Sequence, residues 1–312
     1  MTHTHNRFVR TLGITLATCV AGLAQGKVYH VYYLGGQSNM DGYGRVSELS
    51  DEQRSPVDGC MIFHGNNQNA GDTPSGKGIW TTLTPGHGVG FGSDGQSNRL
   101  SDRFGPELTF GRAMQERFPD RNFAIIKFSR GGSTIAGNTG SPCWDPHDTR
   151  AINGTVGMNQ YDFALKTIDN AMRVRDIDGD GEEDTLIASG IVWMQGESDG
   201  TQQGPAERYF DNLSELMELF RAAMRVDGLP VVIGRISDSN RRGDNQPMWV
   251  FGEQIRAAQE RFCDEDPNAM LVTSTDGYGY SDPAHYDTAG YVDMGEQFAK
   301  AMHALESGEA DD

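Results

Sequence analysis

Short unbroken apolar runs alternate along the chain with longer stretches whose apolar positions recur every three to four residues. The runs at 28–34 (VYHVYYL), 122–129 (NFAIIKFS), 185–195, 230–237 and 269–275 predict β-strands, and a shorter run at 60–63 predicts a sixth. The periodic stretches at 105–118, 160–175, 205–228, 248–263 and 287–305 predict helices. Pro106 suits a first helical turn, and Gly228 suits a stop. Strands that alternate with helices form a parallel sheet covered on both faces, so the expected fold class is α/β with a central parallel sheet of about five strands. No internal repeat and no linker divides the chain after the N-terminus. One domain over 25–312 is therefore expected.

Ligands in open parallel sheets bind at the carboxyl ends of the strands. The first strand runs into Gly35-Gly36-Gln37-Ser38-Asn39, the second long one into Ser129-Arg130-Gly131-Gly132, and the third into Gln195-Gly196-Glu197-Ser198-Asp199. Past the last strand comes SDPAHYD, which holds Asp282 and His285. Each part has an ordinary reading as a turn, cap or surface residue. Together they supply the parts of acyl transfer: a serine nucleophile, glycine amides and an amide side chain for an oxyanion, and a histidine with a carboxylate three residues away. Met40 stands where the second glycine of a G-x-S-x-G elbow would be, so this is not the ordinary α/β-hydrolase turn.

The blocks GGQSNMDGYG, FGPELTFGRAM, SRGGST, WMQGESD and DPAHYDTAGY resemble those of the SGNH hydrolases. More narrowly, they resemble the sialate O-acetylesterase-like branch that includes the family 6 carbohydrate esterases, among them acetylxylan esterases. The resemblance spans about 27–305. It implies a three-layer α/β/α, flavodoxin-like fold and a serine esterase that removes O-acetyl groups from carbohydrates. It implies catalysis by Ser38, His285 and Asp282, with Ser38, Gly131 or Gly132, and Gln195 forming the oxyanion hole. Gln37 and Asn39 would fix the serine loop, and Glu197 would support the site from behind. Relatives carry Ala-Gly-Arg-Gly where this chain has DGYG, which places Asp41 and Tyr43 at the substrate rim. Catalysis would need no cofactor, and activity would fall as His285 protonates in acid. The alternatives are a lipase or arylesterase of the same superfamily, and a non-catalytic carbohydrate-binding protein on this scaffold.

Composition sharpens this picture at four places. Residues 1–24 combine Arg7 and Arg10 with a short apolar stretch and end in small residues, so they read as a signal peptide cleaved after Ala24. The protein is then exported, to the periplasm or beyond. The full chain carries a net charge of −18, and that segment contains two arginines and no acid. Such an acidic surface disfavours nucleic acid and anionic membranes. Cys60, Cys143 and Cys263 show no metal spacing and allow one disulfide with a thiol left over. In DIDGDGEED, the residues Asp176, Asp178, Asp180, Gly181 and Asp184 match a calcium loop, but Ile187 stands where its final glutamate belongs. The segment reads either as a structural calcium loop or as an acidic, solvated turn. The Gly-rich region 64–104 is too long for a plain connection. Its Trp80, and Trp144 further on, are candidates for rings that line a sugar groove; the ordinary reading is that they are core tryptophans.

Overall fold

The computed structural model describes Met1 and residues 26–66, 73–148, 159–243 and 246–308. The rest of the expected signal peptide lies outside the described residues. The main sheet has seven strands: β1 Val28–Gly36, β2 Val57–His64, β3 Trp80–Leu83, β4 Asn122–Ser129, β5 Thr185–Met194, β6 Val231–Gly234 and β7 Ala269–Val272. Their order is β7-β6-β5-β1-β4-β2-β3. All neighbours pair in parallel except β3, which closes one edge antiparallel to β2.

The helices are α1 Ser38–Asp41, α2 Glu107–Arg117, α3 Gln160–Arg173, α4 Tyr209–Met224, α5 Gly252–Glu265 and α6 Thr288–Ser307. α2 and α6 pack on one face of the sheet, and α3, α4 and α5 on the other. Because both faces are covered, β1 reads as an unbroken apolar run rather than an alternation. Its consecutive rings go opposite ways. Tyr32 meets Phe110 of α2 edge-on at 5.4 Å, and Tyr33 meets Phe220 of α4 at 4.7 Å.

Several boundaries differ from the sequence expectation, each for a local reason. The sheet gains β3 from within 64–104, a four-residue edge strand too short to show a period. The helix expected over 205–228 breaks at Arg208, between Gln203–Glu207 and α4, and ends early because Arg225 takes a left-handed conformation (φ 61°). The helix expected from 248 starts at Gly252, because the Met248 and Trp249 amides donate to the Asp238 carboxylate instead. Cys60, Cys143 and Cys263 are free thiols, with Cys60 and Cys143 buried.

Beneath the strand ends lies an ion pair with no exposed surface. Lys127 Nζ, on β4, donates to Glu107 Oε2 at 2.6 Å, to the Asp41 carbonyl at 2.9 Å and to the His87 carbonyl at 2.8 Å. All three ammonium protons are used, which makes burial of this charge tolerable. Glu107 also accepts from the Gly105 amide. The pair therefore fastens α1, the start of α2 and the loop at His87 to the central sheet. Replacing Lys127 with methionine would strand the Glu107 carboxylate, and we expect a loss of about 3–5 kcal/mol in urea unfolding. A loss below about 1 kcal/mol would show that the pair is not an anchor.

Candidate active site

Gly36 ends β1 at φ 147°, and a Cβ there would lie 2.0 Å from the Met194 carbonyl oxygen of β5. Only glycine lets the chain pass this close and turn. The Gln37 amide then donates to Met194 O, and Arg130 N donates to Gly36 O, so the turn is stitched to both neighbouring strands. Ser38 follows as the first residue of α1, buried except for about 7% of its surface.

Opposite α1, the loop after β7 carries Asp282 and His285. Asp282 Oδ2 meets His285 Nδ1 at 2.8 Å, while Oδ1 accepts from the Ala284 and His285 amides. Partial burial works against the Asp282 charge, but these hydrogen bonds outweigh it and hold the carboxyl below its ordinary range. The imidazole Nε2 has no hydrogen-bond partner among the described residues, Ser38 Oγ included. Asn39 ties the two loops together: Nδ2 donates to the Ala284 carbonyl and to Glu197 Oε1, and Oδ1 accepts from Tyr291 OH at 2.7 Å.

Gly131 lies directly beside the serine, where an added Cβ would come within 3.5 Å of Ser38 Cβ. The Ser38, Gly131 and Gly132 amides donate to no protein acceptor among the described residues, which leaves them available to an oxyanion. Gln195 corrects the sequence reading. It is fully buried, and its amide group donates to Asp199 Oδ2 at 2.7 Å and to the Ser133 carbonyl at 2.9 Å, while its oxygen accepts from Tyr209 OH. Both protons are committed, so Gln195 is a structural prop rather than an oxyanion donor. Gln37 is held through its side-chain oxygen, which accepts from the Gly196 and Ser198 amides.

Of the residues expected at the rim, Asp41, Trp80 and Trp144 take other places, while Tyr43 lies beside the site. Asp41 is buried, and its Oδ1 accepts from Ser129 Oγ; burial, opposed by Lys127, pushes its carboxyl up to about 6. Tyr43 is half-buried and lies flat on the His285 ring. Trp144 has no exposed surface; it packs edge-on against Trp193 at 4.9 Å and donates to Ser133 Oγ. Trp80 sits at the far edge of the sheet, with its indole N–H bonded to the Ala171 carbonyl of α3. Neither tryptophan faces the site: Trp144 fills the core, and Trp80 packs partly buried against it from the edge of the sheet. A cavity of about 350 Å³ opens past β6, bordered by Ser237, Asp238, Trp249, Glu253 and Arg256. Ser237 Oγ contacts Tyr280 and Tyr286, so the cavity adjoins the histidine loop.

In the acidic loop, one oxygen from each of Asp176, Asp178 and Asp184 gathers within 4.8 Å. Asp176 accepts from the Gly179 and Gly181 amides, the wrap a cation-binding turn needs. Lys27 Nζ already bonds Asp178 and Asp180. The loop lies at the start of β5, at the opposite end of that strand from Ser38.

The family comparison decides what this arrangement belongs to. A sequence model described as the carbohydrate esterase, sialic acid-specific acetylesterase family matches residues 28–304. The chain belongs to this family. This esterase is a carboxylic ester hydrolase. A search of curated proteins finds no match. Among solved structures, a protein of Arabidopsis thaliana superposes with TM-score 0.59 at 18% identity, covering 88% of the esterase and 97% of that chain. A carbohydrate acetylesterase from Xanthomonas citri gives TM-score 0.62 at 18% identity, covering 90% of the esterase and 57% of that longer chain. NanS gives 0.59 at 13% identity, with 92% and 100% covered. These likenesses carry the fold.

Sequence reasoning passed over Lys127, Glu107, Asp199 and Tyr209. Lys127 left a signal, a lone charge inside an apolar strand. Burial raises Glu197 to about 7 against its bond from Asn39, and raises Asp199 to about 6 against its bonds from Gln195 and the Ile135 and Ala136 amides. The native state thus holds protons that the unfolded chain has released. The stability from these neutral forms is full at low pH and is lost as pH rises from 3.8 to about 6 for Asp199 and from 4.5 to about 7 for Glu197. Glu197→Gln should flatten that slope and gain up to roughly 3 kcal/mol at neutral pH, read by urea unfolding across pH. An unchanged slope would show that Glu197 does not titrate in this window.

Proposed function

We infer that the protein is an exported O-acetylesterase that cleaves acetyl groups from a carbohydrate through an acyl-enzyme on Ser38. The observation that carries this reading is the 2.8 Å Asp282–His285 bond on a loop that Asn39 ties to the serine turn. Asp282 fixes Nδ1 as the donor, so Nε2 can accept the Ser38 proton as Oγ bonds to the acetyl carbon. The carbonyl electron pair moves onto oxygen, facing the Ser38, Gly131 and Gly132 amides. When the intermediate collapses, the sugar alcohol leaves with the proton from Nε2. Water then enters by the same route and releases acetate.

Acetate release from acetylated xylan, acetylated glucomannan, acetylated sialic acid and p-nitrophenyl esters tests this directly. We expect release from an acetylated carbohydrate that falls by about four orders of magnitude in Ser38→Ala. Activity that survives the substitution would sink the triad. A folded wild type inert on every substrate would favour the carbohydrate-binding alternative. Faster turnover of long-chain esters would favour the lipase-like one.

The acidic loop is read as a structural calcium site remote from catalysis, with Asp176, Asp178 and Asp184 as ligands. Millimolar calcium should raise the melting temperature over that in EDTA without changing kcat. An identical melting temperature would leave the Asp178 and Asp180 carboxylates to Lys27 alone rather than to calcium.

A further inference from the structure

The ring of Tyr43 lies on that of His285 with centroids 3.5 Å apart and planes 7° from parallel. The backbone around it is built to hold it there. Gly42 has φ 103°, and a Cβ on it would come within 2.2 Å of Gly105. The Tyr43 carbonyl accepts from Arg103 Nη1 at 2.8 Å, and Gly44 pairs with Phe104. The ring is therefore clamped from both sides of its own residue. It covers one face of an imidazole whose Nδ1 is already committed to Asp282.

We propose that Tyr43 is a positioning residue for the esterase reaction: its ring orients His285 and favours the imidazolium that forms as Ser38 attacks. The proposal rests on the triad reading given above. An aromatic face carries negative quadrupole density, so it attracts a cation stacked over it more than a neutral ring. Before proton transfer the pair is a plain stack. Once Nε2 holds the serine proton, the same contact becomes a cation–π contact. An interaction that strengthens only along the reaction lowers the barrier rather than the Michaelis constant. The phenol hydroxyl makes no hydrogen bond with a described residue, so the ring alone carries the effect.

Two substitutions separate ring from bulk. Tyr43→Phe should retain most of kcat, whereas Tyr43→Leu should lose about ten-fold in kcat with little change in KM. Tyr43→Met takes its place if the leucine variant does not fold. Independently of activity, the His285 ring protons, assigned by their loss in His285→Asn, should show an upfield ring-current shift in wild type and Tyr43→Phe. That shift should vanish in Tyr43→Leu. Full kcat in the leucine variant of a Ser38-dependent enzyme, an equal loss in the phenylalanine variant, or no ring-current shift in wild type would each overturn the proposal alone. Activity independent of Ser38, or an inert wild type, would overturn it together with the triad.

Discussion

The Lys127 ammonium is the point on which the active end of the sheet depends. A charge with no exposed surface is tolerable only if every proton finds an acceptor. Those acceptors come from three separate segments: Glu107 at the head of α2, the carbonyl ending α1, and the carbonyl of His87 in the long loop. The requirement therefore works in reverse, since satisfying one lysine fixes where three pieces of backbone must lie. Ser38 is placed relative to the sheet at one end of α1 by the Gly36 turn and at the other by this bond. The same charge depresses the neighbouring buried histidines. Burial and Lys127 together bring His87 down to about 3, and both of its ring nitrogens are unpaired.

Around that anchor the site is dense with buried carboxyl groups. Asp41, Glu197 and Asp199 are buried and raised, while Asp282, partly open and richly hydrogen-bonded, is lowered. Environment thus separates the acids by role. Of these four, Asp282 is the one whose charge its surroundings favour, and it faces the imidazole. The others fix amides and hydroxyls. Asp199 takes one Gln195 proton, and the Ser133 carbonyl takes the other. What looked like a catalytic amide is in this way drawn into the scaffold.

The local motifs were legible because their chemistry is local. Double glycines at strand ends, a serine after one of them, and an aspartate three residues before a histidine need only short-range geometry, and the structure brings these residues to one end of the sheet. Trp80, Trp144 and Asp41 were not legible, because exposure is a property of packing. Trp144 has no exposed surface and Trp80 faces α3, since each tryptophan buries its ring in whatever surface its segment meets. The edge strand β3 was hidden for a related reason. Four residues cannot display a period, and its pairing to β2 is made across the chain.

The sequence by itself determined the alternation of strands and helices, the parallel sheet and the glycine turn before Ser38, because hydrophobic period and glycine chemistry act within a few residues. It also determined the family, whose sequence model matches residues 28–304. Only the tertiary structure decided that Gln195 is spent on Asp199, that Lys127 and Glu107 meet, and that Tyr43 lies on His285. Each of those outcomes joins residues distant in the chain, and each depends on which donors and rings the fold leaves unpaired once its core has closed.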